Sequence, residues 1–136
     1  MRRMLALAAL TAFTGSAASA ETWTKYVDGP NGVTWSYDAD YAYKDKESGM
    51  LVILQAIAKP SANLGPSAPG KPDGVGSVVA VDCAKKGLIT IGSYTPKAPL
   101  ALNEGWRKDT LKKAVGADNE ALLAAVCPHA AHFPVK

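Results

Sequence analysis

SVVAVDCAKKGLITIGSY, residues 77–94, is the stretch that decides the fold class. Val79, Val81 and Cys83 fall on alternate positions and share one face, while Asp82 points the other way. A period of two is the pattern of a strand whose side chains alternate between sides. Lys85-Lys86-Gly87 reads as a tight turn, and 88–94 as the next strand. There Ile89 and Ile91 lie together on one face, and Leu88 and Thr90 on the other. Upstream, 50–58 is apolar on both faces and predicts a central, covered strand. Between these strands, 59–76 carries Pro60, Pro66, Pro69 and Pro72 among Gly, Ser and Ala. Proline lacks the amide that helices and ladders need, so this segment predicts a long, flexible Pro/Gly loop.

Further upstream, Val33, Trp35 and Tyr37 alternate with Thr34, Ser36 and Asp38, a strand with one dry and one wet face. The turn residues of 28–32 join it to a first strand over 21–27, giving a hairpin. Downstream, 100–102 suits a short strand, and the polar stretch after Trp106 a short helical turn. The last element reads as a helix. Asp118 is the expected N-cap, Glu120 suits the positive end of the dipole, and Pro128 is the expected stop. Leu122, Leu123, Val126 and Cys127 recur at helical spacing on the packing face. Strands followed by one helix predict an α+β fold: an antiparallel sheet of about five or six strands with a C-terminal helix on one face.

Residues 1–20 read as an export signal. Arg2 and Arg3 form the positive start, 5–13 a short apolar core, and Ala18-Ser19-Ala20 a small-residue cleavage site. The mature chain is then 21–136, a single domain that is periplasmic or secreted. In an oxidising compartment, Cys83 and Cys127 favour a disulfide over the alternative of two buried thiols. Each cysteine sits on the face of its element that packs, so the two can meet. The full chain has 15 basic and 12 acidic residues, net +3. Loss of Arg2 and Arg3 leaves the mature domain at +1, without the basic stripe that a nucleic-acid binder needs. The longest later apolar run is too short to span a membrane as a helix.

Trp23, Tyr37-Asp38, Val81-Asp82-Cys83, Tyr94, Trp106 and Leu122-Leu123-x-x-Val126-Cys127 together make the chain resemble the surface-adhesin protein E family. The resemblance covers most of the mature chain. It implies a small exported bacterial protein with an antiparallel sheet, a flanking helix and a disulfide. It also implies an adhesin-like role toward a protein partner, with surface association, and admits a homodimer. The long 59–76 loop and the lack of a lipid-attachment cysteine set this chain apart from the pattern.

Chemistry is sparse. The mature chain has no nucleophile elbow, no phosphate-binding glycine loop and no metalloprotease helix, so it reads as a non-enzyme without a cofactor. His129 and His132 are weak metal candidates, since imidazoles three apart converge only on a helix and Pro128 precedes them. Asp38, Asp40, Asp45 and Glu47 lack the spacing of a calcium loop and read as a solvated turn. Partner contact is assigned to Tyr41 and Tyr43, which sit beside charges, and to Arg107 and Lys108. The function expected is a non-enzymatic exported binding module engaging a protein partner. The alternative is an envelope or stress-response factor binding a metal or small molecule.

Overall fold

The computed structural model describes residues 22–58, 74–95 and 98–136. The export-signal reading of 1–20 and most of the 59–76 loop lie outside these residues. The expected α+β architecture is present. Six antiparallel strands follow the order β1 (Trp23–Asp28), β2 (Thr34–Asp38), β4 (Leu51–Ala58), β5 (Gly76–Asp82), β6 (Gly87–Tyr94) and β7 (Ala101–Leu102). Two further two-residue strands bring the sheet to eight: β3 (Tyr43–Lys44) pairs with β4, and β8 (Lys112–Lys113) with β6. One helix, α1 (Ala117–Val126), packs on one face.

Alternation along the central strands fills two cores. Leu51, Ile53, Val79 and Val81 point to the helix and meet Leu122, Leu123 and Val126. Val52, Leu54, Ala56, Val78 and Ala80 point the other way and meet Trp106 and Tyr94. The chain opposite α1 is thus not open to water, which explains why β4 is apolar at nearly every position. Leu122 and Val126 are wholly buried, and such burial stabilises by about 1.5–3 kcal/mol per side chain. Ile91 is the extra residue of a bulge opposite Val78 and Val79, and it joins Ile89 in the second core.

Two local expectations are corrected. The polar face of β2 is not wet: Ser36 and Asp38 are buried. Asp38 Oδ1 accepts the amides of Thr22 and Asp40, both at 3.0 Å, so the carboxylate pins the chain on either side of β1 and β2. Asp118 does not cap the helix. Gly116, at φ +96°, is the N-cap, and Asp118 lies in the first turn where its charge still suits the dipole. The α-helix does end before Pro128, with Cys127 as its C-cap, as expected. Residues 127–132 continue as a 3-10 helix with Pro128 in its first turn, where a missing amide costs nothing.

Residues 134–136 then run along β3. Pro134 O accepts the Lys44 amide at 2.7 Å, Lys136 O accepts the Lys46 amide at 2.9 Å, and the Lys136 amide donates back to Lys44 O at 2.9 Å. An edge that would otherwise be open for pairing is covered. At the loop, the backbone pairing of β4 reaches beyond β5: the Gly74 amide donates to Ile57 O and the Ile57 amide to Val75 O, so the end of the proline-rich connection is held by the strand.

Candidate functional site

Three of the four residues expected to meet a partner pack or pair within the fold. Tyr41 and Tyr43 are half-buried against the second core, with ring centroids 6.0 Å apart. Burial pushes both phenols up. The chain between β2 and β3 turns at 39–42, where the Tyr41 and Ala42 amides both donate to Asp38 O. A continuous aromatic strip from Trp35 to Tyr43 is therefore interrupted.

Arg107 lies in the 3-10 turn Trp106–Lys108. Its Nη2 donates to Asp45 Oδ1 at 2.6 Å and its Nε to Asp45 Oδ2 at 2.9 Å, a bidentate clamp. Glu47 Oε2 lies 2.9 Å from the same Nε. The guanidinium also stacks on Trp106, 4.8 Å from the ring centroid. The Asp45 side chain is only 3% exposed, and it accepts from Ser48 N at 3.0 Å and Ser48 Oγ at 2.6 Å as well. The Arg107 bond, then those from Ser48, hold its carboxyl well below the ordinary value. This network staples the 106–108 turn to the 45–49 turn. Of the four expected contact residues, Tyr41 and Tyr43 are half-buried, Arg107 is exposed but ion-paired, and Lys108 is exposed.

Two further acidic residues of the 38–47 stretch are engaged too. Asp38 is buried as described, and Asp40 Oδ2 accepts the Thr22 hydroxyl at 2.6 Å. On the 3-10 segment, residues three apart eclipse one another. His129 and His132 are both exposed, with rings 6.1 Å apart. Among the described residues, no three His, Cys, Asp or Glu side chains gather as metal ligands.

A concave site lies elsewhere. The end of α1 is tied to the β5–β6 turn by the Cys83–Cys127 disulfide, with Cα atoms 5.7 Å apart. Beside the bridge opens a cleft of about 470 Å³. The buried Ala114 and Leu123 form its floor with the half-buried disulfide, and the exposed Pro128 lines it at the end of the helix. Ala124 and Glu120, one turn apart on α1, form one rim. Lys86 and Lys113 form the other.

Backbone geometry places both lysines. Lys86 is the only non-glycine residue with positive φ, at 51°, among those described. It closes the four-residue turn 83–86, which Asp82 organises by accepting the Lys85 amide at 3.0 Å. Sequence suggested Gly87 as the turn's glycine, but its role is close approach. A Cβ there would stand 2.6 Å from Leu111 Cγ and 2.9 Å from Lys112 O. That clearance lets β8 lie against β6 and sets Lys113 on the cleft. The Ala114 amide then donates to Lys86 O at 3.0 Å, locking the two lysine-bearing segments together.

Neither lysine has an ion-pair partner within 4 Å among the described residues, and Glu120 has none either. No family model, no curated protein and no solved structure matches the chain. The resemblance to the surface-adhesin protein E family rests on the sequence positions named above.

Proposed function

We propose that the chain is a non-enzymatic, exported binding module that engages a protein partner at the envelope or outside the cell, and that the cleft beside the disulfide is where it does so. The observation that carries this reading is the cleft's construction. Its apolar floor is braced by a covalent bridge, and unpaired charges stand on both rims. A preformed apolar concavity with a few polar groups is the usual form of a recognition site. A rigid wall also lowers the ordering cost that binding incurs. The adhesin-like character is carried by the family resemblance and the export signal.

A volume of about 470 Å³ also suits a small molecule, which keeps the envelope-factor reading as the second one. Capture from envelope extract separates surfaces. Ala124→Trp should cover the cleft from an exposed helical position, leaving the melt unchanged while abolishing capture of the partner. Undiminished capture by that variant, with loss on Tyr41→Ala or Lys108→Ala, would move the site to the β3 end of the sheet.

A further inference from the structure

We infer that the cleft recognises a free polypeptide C-terminus ending in a large apolar residue. The inference rests on the reading that the cleft is the binding site, and names the group it takes.

The cleft accepts an apolar side chain, since Ala114, Leu123, Pro128 and the disulfide offer it no strong hydrogen-bond partner. Lys86 and Lys113 line the cleft from adjoining backbone segments, and neither is ion-paired within 4 Å among the described residues. An ammonium gains most from a compact anion, and a carboxylate accepts from two donors at once. The ligand therefore pairs an apolar body with a carboxylate beside it. An α-carboxylate next to a C-terminal Leu or Phe side chain has this arrangement in a single residue.

Glu120 decides between the two common sources of such a group. A fatty acid carries a carboxylate and an apolar chain but no donor, so Glu120 would gain no hydrogen bond from it. A peptide carries backbone amides one residue from its terminus, and Glu120 stands across the cleft from the lysines to accept one. Capture of a chain terminus is a recurrent mode of peptide recognition.

Lys86 supplies a second, independent mark. A left-handed backbone suits glycine or asparagine, and a lysine there is strained. The strained position is the one that lines the cleft.

Titration of the full mature protein by NMR or calorimetry tests this with three probes: a hexapeptide ending in Phe with a free carboxylate, the same peptide amidated, and dodecanoate. The free acid should bind at least about tenfold more tightly than the amide, a difference of about 1.4 kcal/mol. Its shifts should centre on Ala114, Leu123 and Ala124. Lys86→Gln with Lys113→Gln should reduce acid binding about tenfold and leave the amide unchanged. Glu120→Ala, which removes the acceptor, should weaken the peptide and not dodecanoate. Equal binding of acid and amide would overturn carboxylate recognition, and binding of dodecanoate alone would overturn the peptide source. If neither peptide binds while Ala124→Trp still abolishes capture of the partner, this inference fails and the cleft reading stands. If Ala124→Trp leaves capture intact, the cleft reading itself fails.

Discussion

Removing the disulfide is the most informative perturbation of the fold. Cys83 and Cys127 are 44 residues apart, and in the chain-entropy model a closed loop of that length restricts the unfolded state by about 4 kcal/mol. That is a large part of the ~5–15 kcal/mol by which small domains are stable. With an unfolding entropy of about 2.1 cal/mol/K per residue, a domain of about 115 residues changes by ~0.24 kcal/mol per degree. Cys83→Ala with Cys127→Ala should therefore lower Tm by about 16 °C. Both sites are half-buried, so little cavity cost is added. Guanidinium denaturation of oxidised, reduced and double-alanine protein measures it, and the reduced wild type should track the double variant. A loss below about 1 kcal/mol would refute the entropic argument. It would mean that α1 stays docked through Leu122 and Val126 alone, and that 83–127 is already restricted when unfolded.

Lys86→Gly should relieve a left-handed backbone and raise Tm by about 2–4 °C, from ~0.5–1 kcal/mol net of the flexibility glycine adds when unfolded. No change or a fall in Tm would show that the turn is unstrained. Arg107→Ala should lower Tm at neutral pH by leaving the buried Asp45 carboxylate without its bidentate partner. Asp45 is held below its ordinary value of 3.8, so its contribution is present above that pH and lost as pH falls through and below it. The gap between wild type and variant should thus narrow in acid, and a constant gap from pH 7 to 3 would contradict the assignment. Deleting residues 134–136 removes the acceptors of the Lys44 and Lys46 amides. Hydrogen exchange at those two amides should accelerate while β4 and β5 remain protected; unchanged rates would show that the edge is covered by something else.

The fold was legible because the strands carry their own periodicity. Val79-x-Val81-x-Cys83 fixes a face, the two-sided apolar run of β4 fixes the centre, and Leu122, Leu123 and Val126 fix the face of α1. The cysteine faces could be brought together on paper for the same reason. What sequence missed depends on contacts between distant segments. The burial of Asp38 and Asp45 follows from partners at Thr22 and Arg107, 16 and 62 positions away. The docking of 134–136 on β3 needs the 3-10 path past Pro128, which a helix-stop rule hides. Of the candidate site, the packing of the aromatic residues was the least legible. Tyr41 and Tyr43 stand beside charges in the sequence, but that they line a core boundary next to the Arg107–Asp45 ion pair depends on contacts with distant segments. Glu120, Ala124 and Pro128 do share a helical stripe with Cys127, and a small residue on that stripe was the available signal. The positive φ of Lys86 left no trace in the residue type, since lysine is ordinary in a turn.

Site-specific photocrosslinking compares the two surfaces directly. A benzoylphenylalanine placed at Ala124 sits on the cleft rim, and one placed at Tyr41 sits at the opposite core boundary. Both proteins are exposed to envelope extract and irradiated. The expected result is a discrete adduct from position 124, competed by a free-acid peptide ending in Phe, and none from position 41. An adduct from position 41 alone would contradict the assignment of binding to the cleft beside the disulfide.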